Sequence, residues 1–168
     1  MEDPIFSRTS IRQFTDEPVA DADIERLMRA AMAAPSAGNQ QPWEFVLTRD
    51  AALKEALGEC SPFAKPAARA DVVIVPCMSE NVEARFPEYK PIDLSACIEN
   101  ILIEATALEL GAVWLGIYPE AERMKAVAER IAIPEGCEPF ALIALGHPAE
   151  DVPPRSAKRY DPERIHWV

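Results

Sequence analysis

The sequence predicts an α+β fold built on a central mixed sheet, and three observations carry that expectation. Short runs rich in β-branched residues alternate with amphipathic stretches of helical period along the chain. One later segment is apolar on nearly every side, as a helix packed between layers would be. The stretch after Pro148, rich in proline and charge, has no core of its own and has to lie on something else. At 168 residues the chain is expected to form one domain, residues 1–168, able to bury about two thirds of its unfolded surface.

Between residues 21 and about 33, Ile24, Leu27, Met28 and Ala31 follow the i, i+3, i+4, i+7 pattern, with Asp21 as the expected cap and Pro35 ending the helix. Residues 43–48 (Trp-Glu-Phe-Val-Leu-Thr) are expected as a strand, 51–57 as a short helix and 71–77 as a second strand. Residues 81–91, polar with two prolines and the aromatic residues Phe86 and Tyr89, are expected as a loop. The longest helix candidate is 92–110. Leu94, Ile98, Ile101, Leu102, Ala105 and Leu108 form one stripe, and Cys97, Ile103, Thr106, Ala107 and Leu110 leave little polar surface elsewhere. One sheet face cannot cover such a helix, so a second subunit is inferred to cover the rest. Residues 113–118 and 140–145 are expected as strands with a helix over 119–131 between them, and Arg164-Ile165-His166-Trp167-Val168 alternates like an edge strand that needs a place to dock.

The net charge of −11 excludes a broad nucleic-acid or anionic-membrane surface, and no apolar run approaches the length of a membrane span. An opening that carries two acids and no apolar core of a signal peptide makes the cytoplasm the expected location. Cys60, Cys77, Cys97 and Cys137 are widely spaced with no histidine set beside them, so buried thiols are expected and no metal site. Bases are unevenly spread: Arg8 and Arg12 lie near one end, and Arg155, Lys158, Arg159 and Arg164 near the other. On an acidic chain that distribution points to one local anion site.

Arg8, Ser10 and Arg12 alternate, so in an extended segment two guanidiniums and a hydroxyl face one way and can converge on a phosphate. Alone, the same residues also suit a solvated terminal segment. Pro35-Ser36-Ala37-Gly38-Asn39-Gln40-Gln41-Pro42-Trp43 places planar amides in a loop, for a ring-bearing ligand or as a polar connection. In the strand pattern of Leu115-Gly116-Ile117, the glycine marks either a bulge or the close approach of a flat ligand. Lys158-Arg159-Tyr160-Asp161-Pro162 is either a solubilising surface or the remaining charge for a phosphate monoester of about −1.5 to −2. His147 has no partner for acid–base work, and His166 beside Trp167 is expected to be a packing residue.

In order and separation these segments resemble the nitroreductase family of flavoproteins, from Arg8-Thr9-Ser10-Ile11-Arg12-Gln13-Phe14 through Pro35 to Phe45, Glu99-Asn100-Ile101-Leu102, Gly111 to Tyr118, Ala144-Leu145-Gly146-His147-Pro148 and Arg164-Ile165-His166-Trp167. The resemblance implies a sandwich around a mixed, mainly antiparallel sheet, in an intertwined homodimer with FMN at the subunit interface and the tail of about residues 149–168 docked on the partner. It implies that Arg8, Ser10 and Arg12 hold the phosphate and ribityl chain, helped by Lys158 and Arg159. Pro35, Ser36, Ala37 and Asn39 would reach the flavin of the other subunit, and the backbone of Leu115 and Gly116 would approach flavin N5. The implied activity is NAD(P)H-dependent reduction of a nitroaromatic, quinone or similar small-molecule acceptor by ping-pong hydride transfer, with no side-chain catalyst required. Relatives that cleave flavin, dehalogenate or dehydrogenate rings, and a flavin-binding dimer without turnover, are the alternatives. Here the two basic tail residues are adjacent rather than separated by one, and the chain is shorter where substrate-pocket helices normally insert.

Overall fold

Alternation along one buried strand sets the layers. In the computed structural model, which describes residues 3–80, 83–149, 152–153 and 159–168, β1 (Trp43–Thr48) leads through a helical crossover to β2 (Val72–Ser79), which is buried throughout its length. Val72, Ile74 and Met78 join one core cluster, while Val73, Val75 and Cys77 join the other, as the period of two requires. β3 (Gly111–Gly116), β4 (Cys137–Pro139) and β5 (Ala141–Gly146) complete a sheet of order β1-β2-β5-β3, with β4 paired to β2. All these pairs are antiparallel; a parallel bridge from Ser10 to Ala112 at the outer edge of β3 makes the sheet mixed.

Helices cover both faces. α1 (Pro4–Ser7) packs on α4, and α2 (Asp21–Met32) with α4 (Lys90–Ala107) lies on the Ile74 side. α3 (Ala51–Gly58), the 3₁₀ turn Lys65–Arg69 and α5 (Ala121–Ala128) lie on the Val75 side. The result is the α+β sandwich expected from the sequence.

Several boundaries move, each for a local reason. Asp21 is the first residue of α2 rather than its cap; Ala20 holds the cap position with no side-chain bond, and the Asp21 carboxylate instead accepts from Arg49 Nη1 at 2.7 Å. α4 starts at Lys90, inside the expected loop, and stops at Ala107. Glu109 takes φ 61° and Leu110 N–H bonds back to Ala105 O at 2.8 Å, so residues 108–110 reverse the chain. This early stop lets β3 begin at Gly111, two residues ahead of the expected strand. α5 is trimmed to Ala121–Ala128, and the 81–91 segment carries a 3₁₀ turn at Pro87–Tyr89. Residues 165–168 do not form a strand: Pro162–Arg164 is a 3₁₀ turn whose Asp161 side chain accepts from Glu163 N–H, and beyond it His166 is exposed rather than packed and Trp167 is 94% exposed. One chain offers these residues no surface.

α4 is covered on one face only. Leu94, Cys97, Ile98, Ile101, Leu102 and Ala105 are buried against the sheet and α2, whereas Ile92 is 62% exposed and Ile103 half-buried.

Cys60, Cys77 and Cys97 are buried free thiols and Cys137 is half-buried. Burial pushes Cys97 up to about 12, and burial with the neighbouring Cys137 and Glu44 does the same for Cys77. Iodoacetamide at about pH 8 is therefore expected to leave both unmodified in the folded chain and to reach them after unfolding, as read by mass spectrometry. The sign of the linkage follows: unfolded thiols ionise near 9 while these two hold their protons to about 12, so their contribution to stability is whole below pH 9 and is lost between 9 and 12.

Candidate functional site

β3 is an edge strand, and past the Ser10 bridge no strand lies beside it among the described residues. An uncovered strand edge presents backbone N–H and C=O groups to whatever fills the space next to it. That space is a cavity of about 590 Å³ walled by Val113, Trp114, Leu115 and Gly116 of β3. Pro62 and Phe63, the turn that carries Lys65 and Arg69, and Arg12 and Arg123 complete its lining. Arg12, Lys65, Arg69 and Arg123 give it four cations, and no carboxylate lines it among the described residues. On a chain of net charge −11 this is a local field of the opposite sign. Among the described residues nothing lies within 4 Å of where a Cβ on Gly116 would stand, so the end of the strand is open there.

The N-terminal segment is fixed against β3 at close range. Ile11 N–H bonds to Ala112 O at 3.1 Å, and an added Cβ on Gly111 would meet Ile11 Cγ2 at 2.7 Å, so only glycine allows the approach. Arg8 caps α1 and sets its Nε 3.0 Å from Glu99 Oε1 of α4; that Nε is buried, and the ion pair lacks the angles of a hydrogen bond. Arg12 Nη1 donates to Ser10 O at 3.3 Å.

The amide loop is held from below by one buried acid. Asp93, 4% exposed, accepts from Ala37 N–H at 2.9 Å and from Gln40 Nε2 at 2.7 Å. Gln40 also spans Phe86, accepting from its N–H at 3.1 Å and donating to its O at 3.0 Å. Ser36 Oγ accepts from Gln41 N–H at 3.0 Å. Gly38, Asn39 and Gln41 all take positive φ, an arrangement that persists only where the surroundings over-determine it.

Of the expected site residues, Arg12, Leu115 and Gly116 share the cavity. Ser10 and Arg8, on the same segment as Arg12, do not line it: Ser10 bridges to Ala112, and Arg8 pairs with Glu99 of α4. Pro35, Ser36, Ala37 and Asn39 do not line it within one chain; they sit at the N-terminal end of α4 through Asp93. Arg159 is exposed in a turn, and Lys158, with Arg155, lies outside the described residues. Sequence reasoning missed Lys65, Arg69, Arg123 and Asp93. The first two were marked by an i, i+4 basic pair beside an exposed Phe63 in an acidic chain, and Asp93 by its place as a lone acid at the start of an apolar helix.

The chain matches the model of the nitroreductase family over residues 5–65 and 61–147. It is 40% identical over 163 residues, 96% of this chain and 94% of the other, to a protein of Archaeoglobus fulgidus with the provisional name NADH dehydrogenase/NAD(P)H nitroreductase. A provisionally assigned NADH oxidase from Clostridium acetobutylicum superposes with a TM-score of 0.91 at 41% identity, covering 98% of each chain. A provisionally assigned nitroreductase from Desulfovibrio desulfuricans, solved in complex with FMN, superposes with a TM-score of 0.75 at 31% identity over 94% of each chain.

Proposed function

Because the chain belongs to the nitroreductase family, we propose that it is a cytoplasmic NAD(P)H-dependent FMN oxidoreductase that reduces nitroaromatic, quinone or similar small-molecule acceptors as a homodimer. The observation that carries this reading is the cavity at the free edge of β3, where Arg12 and the Leu115–Gly116 backbone share one opening lined by cations and, among the described residues, by no carboxylate.

The residues present fit FMN. The cations Arg12, Lys65, Arg69 and Arg123 around the cavity suit an anionic ligand, and the open space over Gly116 suits a flat ring. Arg8, Ser10 and Arg12 would hold the phosphate, with Lys158 and Arg159 adding charge, while Leu115 and Gly116 would present backbone to the ring. Bound FMN supplies hydride acceptance and electron delivery. Phe63, exposed in the same lining as Gly116, offers an aromatic surface for the substrate. No protein acid or base is demanded, since protons can come from water.

A homodimer of one domain per chain, residues 1–168, accounts for what a single copy leaves bare. Ile5, Phe6 and Ile92 are each at least 60% exposed on α1 and the adjoining start of α4, and Trp167 stands clear of the fold. A second copy would cover them, would give the tail of about residues 149–168 a surface, and would bring its own Pro35, Ser36, Ala37 and Asn39 toward the flavin.

The test is an absorbance spectrum of the purified protein, before and after FMN is added, followed by NADH or NADPH under nitrogen and a panel of acceptors. A yellow protein that bleaches and is reoxidised by a nitroaromatic or quinone is expected; a colourless protein that refuses FMN overturns the reading. Gly116→Val sharpens it. A valine suits a strand and meets an open space, so unfolding free energy is expected to change by less than about 0.5 kcal/mol. FMN affinity, read by flavin fluorescence, is expected to fall at least about tenfold because the side chain takes the ring's place.

A further inference from the structure

The cavity carries more positive charge than one phosphate calls for. A phosphate monoester brings about −1.5 to −2, and Arg8, Ser10, Arg12 and the basic tail already answer it in the proposed function, on which this inference rests. Lys65, Arg69 and Arg123 remain, and none of them makes an ion pair with a carboxylate among the described residues.

Arg123 is the most tightly placed of the three. It projects from the first turn of α5 into the cavity lining, its Nη1 donates to Gly116 O at 3.3 Å, and its guanidinium lies 5.8 Å from the centroid of the Phe63 ring. Contacts from β3 and from Phe63 therefore hold one planar fork at the strand end where the flat ring is expected. Phe63 itself is 68% exposed, so a ring face beside that fork is open to a ligand. One hydrogen bond to a carbonyl and one cation–π contact leave most of the guanidinium's five donors unused. An aromatic face next to a planar, unpaired guanidinium matches an aromatic ring bearing a planar anion.

We propose that Arg123, fixed by the Gly116 carbonyl and the Phe63 ring, anchors the anionic group of the second substrate and makes the protein select aromatic carboxylates over their neutral isosteres as electron acceptors. The same anion chemistry could reside in the phosphates of the nicotinamide nucleotide, and the two sources separate on test.

FMN-loaded protein is titrated with 4-nitrobenzoate and with 4-nitrobenzamide, following the flavin absorbance, and KM is measured for both acceptors and for NADPH. The native protein is expected to bind the carboxylate about tenfold to a hundredfold more tightly than the amide, the span of a charge-assisted contact. That ratio is expected to shrink as salt is raised. In Arg123→Gln the ratio is expected to collapse to near one, and in Arg123→Lys to recover in part, since the charge returns without the fork. Equal affinities in the native protein, or an Arg123→Gln variant that keeps the native ratio, overturn the inference. A rise confined to the KM for NADPH overturns it in favour of the nucleotide. Failure to bind FMN overturns this inference and the proposed function together. Carboxylate preference that depends on Arg123, in a flavin-loaded protein that passes no electrons, sustains the anchor and overturns the reductase reading alone.

Discussion

Asp93→Ala is expected to lower the free energy of unfolding by about 3 kcal/mol and to weaken FMN retention at least about tenfold, although Asp93 lines no part of the cavity. The carboxylate is 4% exposed and ties two donors, Ala37 N–H at 2.9 Å and Gln40 Nε2 at 2.7 Å. A hydrogen bond to a charged group contributes roughly 1.5–3 kcal/mol, and truncation leaves both donors desolvated with nothing to replace the oxygen atoms. The consequence spreads because Gln40 also holds both backbone groups of Phe86. Losing Asp93 therefore frees two segments together, the amide loop and the polar stretch before α4. The loop has the more to lose, with positive φ at Gly38, Asn39 and Gln41 held against their local preference. Chemical denaturation measures the first effect and flavin fluorescence the second. Asp93→Asn keeps one acceptor oxygen and is expected to cost less on both readouts; a change under about 1 kcal/mol in the alanine variant would show that Asp93 does not hold the loop.

Gly111→Val is the other large effect. A Cβ at Gly111 would stand 2.7 Å from Ile11 Cγ2 and 2.8 Å from Ile11 Cβ, and the latter is fixed to the backbone rather than being the swinging end of a side chain. The N-terminal segment must therefore move away from β3, breaking the 3.1 Å bond from Ile11 N–H to Ala112 O and the bridge at Ser10. Overpacking of this kind costs about 1–3 kcal/mol, with FMN binding lost as well because Arg8, Ser10 and Arg12 travel with the segment. Adding Ile11→Ala to Gly111→Val relieves the clash and is expected to return part of the stability, a coupling that a double-mutant cycle measures. Strict additivity of the two substitutions would show that the contact does not decide the position of the segment.

What could be read from the sequence was what local pattern encodes. The alternation of Trp43–Thr48 gave that strand its observed ends, and the stripe through Leu94, Ile98, Ile101 and Ala105 identified the buried face of α4. The end of α4 was misplaced because Leu108 and Leu110 continue the apolar pattern while Glu109 turns the chain, and a glutamate gives no warning of positive φ. The cavity was legible only where it follows the chain, at Arg12, Leu115 and Gly116. Arg123 comes from an element far in sequence from the turn that carries Lys65 and Arg69, and the three meet only once the sheet has stacked its second helical layer, so the i, i+4 basic pair could not show by itself what it faces. Asp93 was hidden for the opposite reason: its partners Ala37 and Gln40 lay in a segment already read as polar, but the acid itself sat in one read as apolar.

The docking of the N-terminal segment on β3 has a consequence for self-association. Its bridge to Ala112 blocks the first part of the outermost strand, and a ligand lying along Val113–Gly116 would block the remainder, so the sheet's exposed border is shielded in two instalments. The segment proposed to hold the phosphate is thus also the one that shields this edge, and a chain with nothing bound along Val113–Gly116 keeps only the first of the two shields.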